Sequence, residues 1–112
     1  MTAAELPYLD VETSMVGRVG HATVMGEIDA HTAPRLLDPL EGLVEDGALE
    51  LVVDLSAVTF MDSSGLGILI RMQRLTPTHN LKITGASDTT RRVLRATGLD
   101  KLFDVEPLDE ES

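Results

Sequence analysis

Asp62, Ser63 and Ser64 set a carboxylate beside two hydroxyls in the run "FMDSSGLG". Serine hydroxyls in such a run can attack as nucleophiles or cap a helix. The nucleophile option fails on spacing. A serine-hydrolase elbow needs glycine two residues before and two after the nucleophile. Around Ser64 those positions hold Asp62 and Leu66; around Ser63 they hold Met61 and Gly65. A dinucleotide fingerprint begun at Gly65-Leu66-Gly67 would need glycine where Ile70 stands, and no Gly-Lys-Ser/Thr phosphate loop occurs. His21, His31 and His79 lie far apart, without a partner at metal-ligand spacing, and read as surface or loop residues. With no cysteine, thiol catalysis, thiolate zinc sites and disulfides are excluded. The sequence therefore predicts no enzyme: no catalytic residue, no metal and no cofactor.

The elements that must position this run can be read on either side of it. Tyr8–Glu12 is expected as a short edge strand and Arg18–Ile28 as the next, with Gly17 and Gly20 marking the turn or bulge between them. "DAHTAP" opens a helix, Thr32 as its N-cap and Pro34 in its first turn. Leu36, Leu37, Leu40, Leu43 and Val44 form its apolar stripe, and Pro39 in the middle should bend it. Leu49–Leu55, "LELVVDL", is nearly continuous apolar, as in a strand buried on both faces. A helix follows to about Leu75, then a loop at "THN" and a strand at "LKITGA". Ser87 or Asp88 caps a third helix with Val93, Leu94 and Ala96 apolar and Gly98 as its stop. "LDKLFDV" forms a short strand or helical turn. Residues 1–7 are expected to be a flexible leader, 8–106 one domain, and 107–112 an acidic disordered tail.

That order, β-β-α-β-α-β-α with a short end piece, predicts an α/β domain. Its sheet is mixed but mostly parallel, packed with about three to four helices. At 112 residues, with 43% hydrophobic and 25% charged side chains, one core can form without staples. The formal net charge of −10 repels phosphate backbones and anionic lipid. One Tyr, two Phe and no Trp leave little for base stacking, so no nucleic acid and no membrane are expected. No segment approaches membrane-spanning length, and a reducing cytoplasm fits the missing cysteines.

A two-component receiver domain is a competing reading, because Asp54 ends "LELVVD" much as a phosphoaccepting aspartate would. The acidic pair that holds magnesium is missing from "LDVETSM", and no proline follows Lys101. "LELVVDLSAVTFMDSSGLGILI" instead resembles the central signature of anti-sigma factor antagonists, the bacterial members of the STAS domain family. "GEID" with "HTA", and "RVLRATGLDKLFDV", match that family's second-strand exit and C-terminal helix, in order over about Met15 to Val105. The resemblance implies that Ser64 is the phosphoacceptor, with Asp62 and Ser63 beside it, and that Asp29 lies near the partner-binding surface. It implies an anti-sigma factor as partner, itself an ATP-dependent serine kinase. The unphosphorylated form captures that partner and releases a sigma factor; a PP2C-type phosphatase acting on phospho-Ser64 resets the switch. A STAS scaffold, or a module binding a small ligand or nucleotide in stress-signalling or lipid-transport machinery, is the alternative the resemblance leaves open.

Two features remain to be explained. Gly65 and Gly67 stand in a first helical turn, where each costs roughly 0.5–1 kcal/mol relative to alanine. Counted from Ser64, Gly67, Arg71 and Arg74 fall on one stripe, while Ile68, Leu69, Met72 and Leu75 fall on another that should face the core. Glycines at this helix start would let a partner approach Ser64, which adds Gly65, Gly67 and Arg71 to the Asp29, Asp62, Ser63 and Ser64 that the resemblance puts at the partner-binding site. The plainer account is that Ser63 or Ser64 caps the helix and the glycines allow tight packing on the sheet.

Overall fold

The structure, a computed structural model, describes residues 8–106. The expected leader and acidic tail lie outside the described residues. Strands β1 (Leu9–Val16) and β2 (Val19–Ile28) form an antiparallel hairpin. Its turn places Gly17 at φ +61°, a conformation that glycine adopts without a Cβ clash. The edge strand is longer than the weak alternation over Tyr8–Glu12 indicates, because β2 supplies partners as far as Val16 opposite Val19. Gly20 belongs to β2 rather than to the turn. A Cβ there would lie 3.0 Å from the Leu43 and Leu51 side chains, so this glycine serves packing.

After β2 come a 3-10 turn (Ala33–Leu36), α1 (Leu37–Glu45), β3 (Glu50–Met61), α2 (Ser63–Leu75) and β4 (Leu81–Thr84). Helix α3 (Asp88–Thr97) follows, then a second 3-10 turn (Leu99–Lys101) and β5 (Asp104–Val105). The expected end piece is therefore both a helical turn and a strand. The sheet runs β1-β2-β3-β4-β5, and every pair after the first is parallel. Right-handed crossovers in one direction place the three helices on one face. Burial follows that arrangement. Ala22 and Val24 of β2, Leu51, Val53 and Leu55 of β3, and Leu81 and Ile83 of β4 are buried beneath the helices. Thr23, Val52, Asp54 and Lys82, which alternate with them, are only half-buried. Among the described residues no helix covers the opposite face of the sheet.

Three local expectations are corrected. Thr32 and Pro34 take the expected N-cap and first-turn places, though of a 3-10 turn, and the Thr32 hydroxyl makes no capping bond: it donates to the Glu27 carbonyl (2.7 Å) and accepts from the Asp29 N–H (2.9 Å). Pro39 does not bend a helix in its middle. It falls in the first turn of α1, where its missing N–H has no partner to lose, and the chain before it takes the tighter 3-10 form. In α3, Leu94 is buried but Val93 and Ala96 are exposed, so its apolar stripe is narrower than expected.

Strand β3 outruns its apolar segment. Beyond Leu55 its residues are mostly exposed, which is why the hydrophobic pattern stops there. The strand continues because its last residues pair with the end of β2, Glu27 opposite Phe60 and Ile28 opposite Met61. That extension delivers Asp62 to the end of β2.

Candidate functional site

Where β3 hands over to α2, the Asp62 N–H donates to the Ile28 carbonyl (3.1 Å) and the backbone is extended, at φ −108° and ψ −170°. This pins Asp62 just outside the helix, and its Oδ1 accepts from the Ser64 N–H at 2.8 Å. Asp62 is the N-cap. The plain reading that Ser63 or Ser64 caps the helix is corrected: Ser63 and Ser64 are the first two helical residues, and among the described residues neither hydroxyl is tied into a hydrogen bond. Ser63 is exposed and Ser64 half-buried.

The two glycines separate. Gly65 is buried, and a Cβ on it would lie 2.6 Å from Ile28 Cγ2 and 2.8 Å from Met61 Cγ. Its job is packing, which lets α2 start hard against the ends of β2 and β3. Gly67 is exposed, and a Cβ there would meet nothing within 4 Å. Nothing among the described residues requires that glycine. Arg71 and Arg74 lie exposed along the same stripe. On the inner side Leu66, Leu69 and Met72 are buried and Ile68 half-buried, but Leu75 is 48% exposed, because the last turn of α2 passes the edge of the core. Gln73, which the sequence reading passed over, is buried and donates from Nε2 to the His79 carbonyl (2.8 Å). Its spacing four residues after Leu69 was the available signal.

The loop leaving β2 sits beside this helix start, since Ile28 contacts both. Asp29 Oδ1 accepts from the backbone N–H groups of His31 (2.8 Å) and Thr32 (3.0 Å) and lies 3.3 Å from Thr32 Oγ1. The Thr32 N–H is the main reason its carboxyl titrates below the ordinary aspartate value, with His31 and the threonine hydroxyl adding to the effect against some desolvation. Asp29 thus holds the loop's shape with one oxygen and is committed there before any partner arrives.

On the far side of Asp62 a cavity of about 140 Å³ opens between α2 and α3, lined chiefly by Met61, Ser63, Leu66, Thr90 and Val93. Ser64 does not line it. Among the described residues no group of three or more His, Asp or Glu side chains is placed to hold a metal ion. No helix among them is long and apolar enough to cross a membrane. The site therefore offers two free hydroxyls at a helix start capped by the Asp62 carboxylate, one glycine-flanked and approachable.

Known proteins share this arrangement of elements. A family model described as "Mlab, STAS domain" matches residues 11–106. The chain is 33% identical over 99 residues to an anti-sigma-B factor antagonist of Staphylococcus aureus, covering 87% of this chain and 92% of that protein. It is 34% identical over 90 residues to an anti-sigma-B factor antagonist of Listeria monocytogenes, covering 79% of each. The crystal structure of an anti-sigma factor antagonist from Mycobacterium paratuberculosis superposes with a TM-score of 0.80 at 34% identity, over 91% of this chain and 88% of that one.

Proposed function

The chain belongs to the STAS domain family, and from that membership we propose that it is an anti-sigma factor antagonist switched by phosphorylation of Ser64. It is a binding protein. The ATP chemistry belongs to its partner, an anti-sigma factor with serine kinase activity, and the reset to a PP2C-type phosphatase, all acting in the cytoplasm. The observation that carries this reading is the cap: Asp62 satisfies the helix start, so Ser64 is left with an uncommitted hydroxyl beside an exposed Gly67. The contact surface runs from the Asp29 loop across Asp62, Ser63 and Ser64 to Gly67 and Arg71. Gly65 serves it from beneath by letting α2 seat closely.

A phosphate on Ser64 adds about −1.5 to −2 charges in the first turn of α2. Free N–H groups and the helix dipole favour an anion there by roughly 0.3–1 kcal/mol, so the fold tolerates the modification. The interface does not, because a dianion beside the Asp62 carboxylate meets a surface that fits a neutral hydroxyl. Phosphorylation thus switches binding and leaves folding alone. A small-ligand role is less well supported, since the cavity of about 140 Å³ beside Asp62 and the neighbouring one of about 280 Å³ beside Phe60 and Thr89 both fall below the roughly 300–1,000 Å³ of ordinary ligand sites.

Incubation with the cognate anti-sigma factor and Mg-ATP, followed by peptide mass spectrometry, tests the assignment. Phosphate should appear on Ser64 and be lost in Ser64→Ala. Modification chiefly at Ser63 would overturn it.

A further inference from the structure

We propose that the open face of the sheet is a second docking surface, built for a basic protein partner and separate from the Ser64 switch. Strand register places Asp10, Glu12, Glu27, Glu50 and Asp54 on that face, carried by β1, β2 and β3. Lys82, its one basic strand residue, stands opposite Asp104 in the register. The helical side is mixed in sign: α2 and α3 carry Arg71, Arg74, Arg91, Arg92 and Arg95 against Asp88, while α1 carries Asp38, Glu41 and Glu45. The open face is thus the one side on which the strands carry acids almost without bases.

Charge alone would make a solvated face, but this one also carries apolar anchors. Tyr8 accepts the Glu27 N–H through its carbonyl (2.7 Å), and Glu27 stands opposite Phe60, so the three form one row across the sheet. Tyr8 is 61% and Phe60 51% exposed, with half-buried Met25 beside them, and Phe60 also borders a cavity that reaches Ser87 and Thr89 at the sheet's end. These are two of only three aromatic residues in the chain; the third, Phe103, is buried. Exposed aromatics within a polar surround are the usual anchors of protein interfaces.

The charge selects the occupant. A second copy docked about a two-fold axis would set the same carboxylates against each other, and nucleic acid or anionic lipid would be repelled in the same way. A protein surface with an apolar pocket rimmed by Lys and Arg fits both features.

Amide chemical shifts recorded while titrating with a soluble peptide of alternating lysine and leucine, and with its glutamate–leucine counterpart, test the proposal. With the lysine peptide, shifts should gather at Glu12, Thr23, Met25, Asp54 and Phe60. Phe60→Ser should weaken binding by roughly tenfold or more, and Glu12→Lys should weaken it in a salt-dependent way. Both variants should fold and should still be phosphorylated on Ser64 at the wild-type rate, which separates this surface from the switch. Four outcomes would overturn the proposal: shifts that follow Asp38, Glu41 and Glu45 of α1 equally; indifference to Phe60→Ser; equal binding of the glutamate peptide; or the same shifts on concentrating the protein alone, which would identify head-to-tail self-association instead.

Discussion

Helices α2 and α3 start in opposite ways from similar residues. At α3 the cap is a serine: the Ser87 hydroxyl accepts from the Thr90 N–H (3.1 Å) and bonds Thr90 Oγ1 (3.2 Å), with Asp88 behind it in the first turn. At α2 the order is reversed, with the acid as the cap and two serines following it. Aspartate and serine cap almost equally well, so the exchange is nearly neutral for stability. Its consequence lies in the hydroxyls. At α3 the serine oxygen is occupied by structure, whereas at α2 the carboxylate takes that role and leaves two hydroxyls uncommitted. A serine at a helix start becomes available for modification when something else does the capping.

The largest effect should come from charge at the uncommitted hydroxyl. Ser64→Ala keeps the interface small and neutral and should hold the anti-sigma factor while resisting phosphorylation. Ser64→Asp sets a second carboxylate beside Asp62 and should lose 2–5 kcal/mol of binding, or roughly thirty-fold to several-thousand-fold in affinity. Calorimetric titration of both variants against the partner, with thermal melts alongside, measures this. Equal affinities would mean that charge at Ser64 is not the switch. The corresponding change at α3, Ser87→Asp, swaps one good cap for another and should leave partner binding unchanged.

The two glycines of α2 sharpen the contrast, because they should respond with opposite sign. Gly65→Ala drives a methyl to within 2.6 Å of Ile28 Cγ2, an overpacking that typically costs about 1–3 kcal/mol. Gly67→Ala meets open space and should stabilise the helix by about 0.5–1 kcal/mol. Yet on the proposed surface Gly67→Ala should weaken partner binding, since its methyl stands where the partner approaches. A Gly67→Ala variant that is both more stable and equally tight would remove Gly67 from the contact surface.

The helix start also shows what the sequence could not settle. The element order, the mixed sheet and the placing of "DSSGLG" between a buried strand and a helix were legible, because hydrophobic period and glycine punctuation are local signals. The identity of the cap was not. Asp62, Ser63 and Ser64 are three good caps in a row, and the choice is made by a distant contact, the Asp62 N–H on the Ile28 carbonyl. The same holds for the second half of β3, whose exposed residues are held as strand by register with β2 rather than by burial. Thr32 shows the converse: it stands at the N-cap position the sequence indicates, but its hydroxyl bonds Glu27 and Asp29 instead of capping.

Removing each cap should give a smaller and matched pair of effects. Asp62→Ala and Ser87→Ala each lose one capping bond and should cost about 0.5–2 kcal/mol. Ser64→Ala, which removes no cap, should stay within about 0.5 kcal/mol of wild type. Denaturant melts of the three variants rank them. A loss for Ser64→Ala as large as that for Asp62→Ala would mean that the serine hydroxyl, not the carboxylate, supports the helix start.

The smallest expected effect belongs to Asp29, which does for the β2 exit loop what Asp62 does for α2, through one oxygen and two backbone N–H groups. Those bonds favour the carboxylate, so its folded value lies below that of the unfolded chain. The sign follows from linkage. Stability from the charged form is fully present above the unfolded value of about 3.9 and is lost as pH falls through the lower folded value. Asp29→Asn keeps an acceptor at the same place and removes the charge. Its melting temperature should therefore fall slightly below wild type at neutral pH, and the two curves should merge in the acid range. Asp29→Ala removes the acceptor as well and should melt lowest of the three at neutral pH. Melts recorded between about pH 2 and pH 7 give the comparison. If the asparagine and wild-type curves stay parallel throughout, the loop is held by geometry alone and the carboxylate charge is free to serve the partner.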